Sequence, residues 1–263
     1  MEVNNVNQLN NLGGLQQQSL ERISTGLSIN DAADNAASLS IADSLKMQRS
    51  ELSQSLQNLN TGIAVSNIAD GALTSQIDIL SDMRTQVLEA MNGTTSQEGK
   101  DAIQNELQKM MENFQNIAGS TTFAGQNLLT NPDGENQFTV ATADNKTTID
   151  LPATDTMGAE LQTLLNDFSN EGLSNILNKI DSTVDQLQDI RSDFGSTAGQ
   201  MQSEARNTIS AQIDMARANS SLTDIDFGAE VSDFSRSSIM SQVGYLVATQ
   251  ANAVQEQSVR LLS

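Results

Sequence analysis

Two residues of the 263 are proline, Pro132 and Pro152, and they sit close together in the middle of the chain. Proline breaks a helix interior because it lacks an N–H and its ring clashes with the preceding turn, at a cost of about 3 kcal/mol. Everything before Pro132 and after Pro152 is therefore free to run as unbroken helix. Both flanks carry apolar residues at helical spacing, and both run out into terminal segments with almost no charge. The layout predicts one long helical rod with a different middle. Its N- and C-terminal helices lie side by side, and its two ends are built to pack against something other than themselves.

A first seam runs from Leu45 through Leu52, Leu56, Leu59, Ile63, Leu73, Ile77, Leu80, Val87 and Met91, with Arg49, Ser66, Asp70 and Arg84 at the intervening positions. This heptad-like stripe predicts a helix from Ser38 to Met91, about 80 Å long at ~1.5 Å per residue, stopped by Asn92-Gly93. A second helix carries Ile103, Leu107, Met110, Phe114 and Ile117 up to Gly119. A third runs from about Gly172 to Leu222 on Leu173, Leu177, Ile180, Val184, Leu187, Phe194, Ala198, Met201 and Ala205, then weakens through Thr208 and Gln212 before Met215 and Leu222. Each large apolar side chain buried between such helices contributes roughly 1.5–3 kcal/mol. The expected class is mainly α, a long antiparallel helical bundle or coiled coil whose apolar rows face one another.

Composition narrows the chemistry. Aromatic residues are 3% and Trp is absent, which suits a thin bundle of Leu, Ile, Val, Met and Ala. Without Cys or His there can be no disulfide, no ordinary zinc site and no His-based triad. Asp224-Ile225-Asp226 lacks a third ligand in register, so no metal is assigned, and no catalytic or cofactor-binding residue is assigned either. The formal charge of −20, from 33 acids against 13 bases, argues against nucleic acid and anionic membrane surfaces as partners. No apolar run approaches the roughly 20 residues of a spanning helix, so no membrane insertion is expected. The first twenty residues hold neither Lys nor Arg nor an apolar h-region, so export, if it occurs, is expected without an ordinary cleaved signal.

Between the helices, Thr121 to Leu151 changes character. Phe138, Val140, Ile149 and Leu151 alternate with polar residues between the turn signals Asn131-Pro132-Asp133-Gly134 and Asp144-Asn145, predicting a small β-hairpin region. From Asp133 to Glu160 there are six acids and one lysine, as expected of a solvated, outward part. The ends differ again: residues 1–20 carry one charge, Glu2, and residues 237–263 carry two, Glu256 and Arg260. Ile239, Val243, Leu246, Val254 and Leu261 nonetheless share one helical face. Apolar, nearly uncharged ends are expected to order when they meet partners.

Ile23 to Leu45 reads ISTGLSINDAADNAASLSIADSL, which closely resembles the signature segment of bacterial flagellins. Further blocks agree in order: Asn58 to Thr94, Ile117 to Leu129 (IAGSTTFAGQNLL), and Leu222 to Asn252 (LTDIDFGAEVSDFSRSSIMSQVGYLVATQAN). The resemblance implies a subunit of the extracellular flagellar filament, exported unfolded through the flagellar type III channel and polymerised at the distal tip. It implies a discontinuous inner-tube domain of terminal helices, 1–30 and 231–263, joined by a spoke linker at about 23–37 to a rod domain, 38–230, with its β-hairpin region at 121–156. The short middle makes this a minimal form. Family members carry a longer run before the segment matching Glu21-Arg22, so a shortened N-terminal arm is expected. An alternative is a secreted flagellin-like interaction or immunomodulatory protein that does not build the main filament.

The resemblance also assigns residues and partners. Self-assembly falls to Val6, Leu9, Leu12, Leu20, Ile23, Ile239, Val243, Leu246, Val254, Leu261 and Leu262, and the spoke to Gly26, Asn30, Asp31, Ala32 and Ala33, with Asn30 or Asp31 expected to cap the next helix. The implied partners are other copies of the chain, the filament cap and hook-junction proteins, and an export chaperone at the C-terminal arm. Ser81 to Glu89 aligns with the family's Toll-like receptor patch, patterned QRVRELAVQ. Here Arg84 fits, whereas Asp82, Thr85 and Gln86 replace the Arg, Glu and Leu of that pattern. Charge inversion at a central contact implies weak or absent receptor recognition.

Overall fold

The computed structural model describes residues 2–130, 137–143 and 146–262, with the side chains of 2–10, 252 and 255–262 outside the description. The turn signals at Asn131-Pro132-Asp133-Gly134 and Asp144-Asn145 lie outside the described residues. The elements run α1 (Glu2–Thr25), α2 (Ala32–Met91), α3 (Gln97–Ser120), β1 (Thr122–Phe123), β2 (Gln126–Asn127), β3 (Gln137–Ala141), β4 (Lys146–Asp150), α4 (Thr154–Leu164), α5 (Asn170–Thr223) and α6 (Phe227–Leu262). The class is mainly α with two small antiparallel sheets, as expected from the sequence. The chain divides into two compact units, Met1–Ser50 with Gln212–Ser263 and Glu51–Ala211. We call them the terminal unit and the core unit.

In the core unit α2 and α5 are antiparallel, because Arg84 meets Asp181 at 2.7 Å while Asp70 meets Arg191 at 2.7 Å. The buried face of α2 follows a heptad, with Val65 buried beside it. One row is Leu59, Ser66, Leu73, Leu80 and Val87; the other is Ser55, Gly62, Ala69, Gln76, Met83 and Ala90. The first row was legible in the sequence. The second lies one residue before the Leu56, Ile63, Asp70, Ile77, Arg84 and Met91 row that apolar bulk suggested. Large side chains flank the seam half-buried, and small ones sit in it, because the seam must leave room for insertions from elsewhere. A methyl group built on Gly62 would lie 2.5 Å from Met201 Sδ and 2.6 Å from Val140 Cγ2. Asp70 and Arg84 are thereby on the rim, where each finds its partner on α5. The same one-residue displacement occurs on α5, where Ile176 and Thr183 are buried and Leu177 and Val184 are half-buried.

On α3 the buried stripe is Ile103, Leu107, Met111, Phe114 and Ala118, so Met111 and Ala118 replace the expected Met110 and Ile117. Ser96 caps its start by accepting from the Gly99 N–H at 3.2 Å. The helix packs on α4, which was not expected. The acid-rich, Thr-rich stretch from Thr154 to Leu164 reads as solvated surface. Its Met157, Leu161 and Leu164 spacing just after Pro152 was the available signal. Gly158 lies against the Phe114 ring.

β3 and β4 form the expected hairpin, with Phe138 opposite Ile149 and Val140 opposite Thr147. Val140 and Ile149 turn inward and join the core, so one face of this acidic region is packed. The β1–β2 turn places Ala124 at φ 51° and Gly125 at φ 84°, the geometry of a two-residue turn whose central positions both need positive φ. A polar knot closes the core. Gln76 Nε2 donates to the Phe114 carbonyl and to Thr154 Oγ1, each at 3.2 Å, and the Thr154 hydroxyl donates to the Leu129 carbonyl at 3.1 Å. Both residues are fully buried, so the knot ties α2, α3, the loop after β2 and α4 at one point.

Candidate assembly surface

The terminal unit inverts this pattern. Among its described side chains only Ala42 and Thr223 are buried; many large apolar ones face outward and the others are half-buried. The two terminal helices are antiparallel neighbours: α1 packs along α6, and its last turn lies beside the first turn of α6, where Arg22 faces Glu230 at 3.9 Å. The sheltered row of α6 is Glu230, Phe234, Ser237, Ser238, Ser241, Gly244 and Ala248, mostly small side chains. On α1 the sheltered positions are Leu12, Gly13, Gln16, Ser19, Arg22 and Ile23.

The exposed row is the apolar one. Ile239, Met240, Val243, Leu246, Val247 and Val254 are each more than half exposed. At ~100° per residue they span an arc of about 120°. Leu15 and Leu20 of α1 are likewise exposed. Helices normally turn their bulk toward their own core. Here bulk points away from the subunit, and the arc carries no charge. Of the sequence-derived assembly residues, Leu20, Ile239, Val243, Leu246 and Val254 lie on exposed ground, while Leu12 and Ile23 are half-buried. The side chains of Val6, Leu9, Leu261 and Leu262 are outside the described residues.

The connection from α1 to α2 is built from hydrogen bonds. Gly26, at φ +73°, ends α1 in the left-handed conformation and donates its N–H to the Arg22 carbonyl at 2.8 Å. The chain then pairs with the α5–α6 junction. The Ser28 N–H reaches the Thr223 carbonyl at 2.7 Å, and the Ile225 N–H reaches the Gly26 carbonyl at 3.1 Å. The Asp34 carboxylate organises the turn, accepting from the N–H groups of Asn30 (3.0 Å) and Asp31 (3.2 Å) and from the Gln18 amide (2.8 Å). These bonds, the Asn30 one foremost, with Arg22 at 3.6 Å, hold its pKa down from 3.8 to about 2. Arg22 thus stands between Asp34 and Glu230.

Neither Asn30 nor Asp31 caps the next helix by its side chain. That role belongs to Asn35, which breaks the helical run at φ −163° and ψ 94° and accepts from the Ser38 N–H at 3.0 Å. Regular helix therefore starts at Ala36, slightly before the expected Ser38. Asx residues compete for caps by geometry, and the four candidates in Asn30–Asn35 could not be ranked from sequence. Ala32 and Ala33 stand exposed on the first turn. Arg22, Asp34 and Asn35 were missed, although Asp and Asn just before a helix are its usual start signal. Asp224 and Asp226 have structural roles: Asp226 Oδ1 caps α6 by accepting from Gly228 (2.9 Å) and Ala229 (3.2 Å), and Asp224 accepts from Ser220.

On α2, Met83 and Val87 are buried in the heptad, so Asp82, Arg84 and Thr85 form the exposed face of Ser81–Glu89, with Gln86 half-buried beside them. Arg84 Nε is engaged by Asp181. Among the described residues there is no cluster of three metal-ligating side chains, and no helix is long and apolar enough to cross a membrane.

Residues 1–133 match the model of the bacterial flagellin N-terminal helical region, and residues 177–262 match that of the C-terminal helical region. A flagellin of Halalkalibacterium halodurans is 28% identical over 94% of this chain and 91% of its own length. A flagellin of Bacillus subtilis is 25% identical over 99% and 97%. In fold, the chain is similar to the crystal structure of Bacillus cereus flagellin, with a TM-score of 0.53 and 23% identity over 58% of this chain and 88% of that one. It is also similar to Bacillus cereus FlgL, with a TM-score of 0.57 and 12% identity over 67% and 99%.

Proposed function

The chain belongs to the bacterial flagellin family, a structural subunit of the extracellular flagellar filament, and from that premise we propose how its parts divide the work. The outward apolar arc of α6, with Leu15 and Leu20 of α1, is the surface buried by neighbouring copies, and residues 1–30 and 231–263 make the inner tube. What carries this reading is the inversion along α6: small side chains sheltered, large apolar ones outside from Ile239 to Val254, and few charges in residues 1–20 and 237–263. Exposed apolar surface of this kind in a free subunit is stabilised once it is covered. The Gly26–Asp31 turn, fixed by Asp34 and paired to Thr223–Ile225, is the spoke linker.

In this reading export runs through the flagellar type III channel, with a chaperone covering the C-terminal arm. Polymerisation follows beneath a cap, on a base of hook-junction proteins. The subunit's role in this reading is structural, as in the family, rather than enzymatic. The Ser81–Glu89 face engages a Toll-like receptor weakly or not at all, because Asp82 inverts a charge and Arg84 is already paired with Asp181.

Electron microscopy of purified protein in ammonium sulfate tests the assembly reading. Filaments are the expected result, and persistent monomers at all concentrations would overturn it in favour of a secreted, non-polymerising role. Each copy carries −20, and salt screens repulsion between copies. Polymerisation is therefore expected to accelerate with added salt below about 0.5 M.

A further inference from the structure

The described methionines differ in exposure. In the core unit Met83, Met111 and Met201 are buried, Met110 and Met157 are half-buried, and Met91 is 38% exposed. In the terminal unit Met47 is 63% exposed and Met240 is 53% exposed. Their surroundings differ. Met47 stands among exposed polar neighbours, Lys46, Gln48, Arg49 and Ser50. Met240 lies at one edge of the apolar arc, next to Ile239, one turn from Val243 and two from Val247, with Arg236 one turn before it.

We propose that Met240 is an oxidation-sensitive modification site that decides whether a free subunit can enter the polymer. The chemistry needs a two-electron oxidant of the peroxide class. The thioether sulfur attacks one peroxide oxygen and the O–O bond breaks. The sulfur is oxidised to the sulfoxide, and the second oxygen leaves as water after proton transfer. The product is a strongly polar S=O group in place of a soft apolar sulfur. On Met47 such a group points into water and changes little. On Met240 it stands at one edge of the apolar arc proposed to be covered by neighbouring copies, where desolvating the S=O opposes association. Burial by those copies also shields the sulfur, so the free subunit is the vulnerable form and the polymer the protected one. This inference rests on the assembly reading above.

Limited treatment of the monomer with hydrogen peroxide, followed by salt-induced polymerisation and sedimentation, tests it. Peptide mass mapping then compares pellet with supernatant. Met240 sulfoxide is expected to be at least tenfold enriched in the supernatant, with Met47 sulfoxide evenly distributed and Met83, Met111 and Met201 unmodified. Met240→Leu protein is expected to polymerise equally before and after peroxide, and Met47→Leu protein to remain sensitive. Equal Met240 sulfoxide in pellet and supernatant would overturn the proposal, and it does so without relying on any variant. The untreated protein separates the two ideas: if it does not polymerise, the assembly reading fails, and if it polymerises while Met240-oxidised protein does too, only this inference fails.

Discussion

The terminal unit and the core unit are made of the same material and use it in opposite senses. Both are helices with apolar residues at three- and four-residue steps. In the core unit those steps close on partners within the chain, and Leu59, Leu73, Leu80, Phe114 and Phe194 are buried. In the terminal unit the same spacing leaves Ile239, Val243 and Leu246 outside while Ser237, Ser241 and Gly244 are sheltered. Periodicity reports that an apolar face exists. What covers it depends on how many elements the same chain can bring alongside. α2, α3, α4, α5 and the hairpin all feed one core, whereas α1 and α6 have chiefly each other.

The sharpest way to break this comparison is to truncate one large side chain in each unit. Phe114→Ala removes a fully buried ring against which Gly158 packs, and should destabilise the subunit by about 3–5 kcal/mol in urea unfolding. Leu246→Ala removes an exposed side chain and should change monomer stability by less than ~0.5 kcal/mol. Its effect should appear in the critical concentration for polymerisation, which rises. Comparable losses of monomer stability for the two variants would mean that α6 is held by its own subunit, and the contrast would collapse.

The buried polar knot refines the same point within the core unit. Gln76 occupies a heptad position that apolar packing alone would give to Leu or Met. Gln76→Ala leaves the Thr154 hydroxyl without its donor and opens a cavity beside Phe114, so a loss of about 1–3 kcal/mol is expected. Gln76→Met, which fills the space, should recover part of it. A neutral Gln76→Ala would show that the knot adds nothing beyond the apolar rows.

In the terminal unit, hydrogen bonds replace the missing core, and acid should reveal it. Asp34 is held near pKa 2 against an ordinary 3.8, so its contribution is fully present above the higher value and is lost as pH falls toward the lower. Amide exchange at Asn30 and Asp31, whose N–H groups bond to Asp34, should quicken over that window. In Asp34→Asn protein the protection should already be weaker at neutral pH and show no step there. An acid step that survives the substitution would assign the protection to another group.

Class, helix extents and the first row of each stripe were legible because propensity and period are local. The second rows were not. Choosing Gly62 over Ile63, or Ile176 over Leu177, requires knowing that Met201 and Val140 must fit. α4 was hidden by Thr and acid content, since its burial comes from Phe114 on another helix. The turn between α1 and α2 was expected, but its capping residue was misjudged: Asn30, Asp31, Asp34 and Asn35 have the same capping chemistry, and only the backbone turn at Gly26 decides which carboxylate faces which N–H. The apolar row Ile239, Val243, Leu246 and Val254 was legible because it repeats at helical spacing in a stretch with few charges.

The smallest expected effect concerns the rim of the core unit, and it completes the comparison. Arg84 and Asp181 join α2 to α5 at 2.7 Å, yet each side chain is about half exposed. Such pairs gain little in high dielectric and lose side-chain freedom, for a net of ~0–1 kcal/mol. Asp181→Asn should therefore lower stability by less than about 0.5 kcal/mol, and the difference should fade as salt is added. The measurement is a pair of urea titrations at low and high salt. A loss above ~2 kcal/mol would mean that the charged rim, rather than the inner heptad rows, fixes α2 against α5. The core unit would then be held as the spoke of the terminal unit is held, by polar contacts at its surface, and the division between a unit closed on itself and one open to its copies would no longer follow from where the apolar rows point.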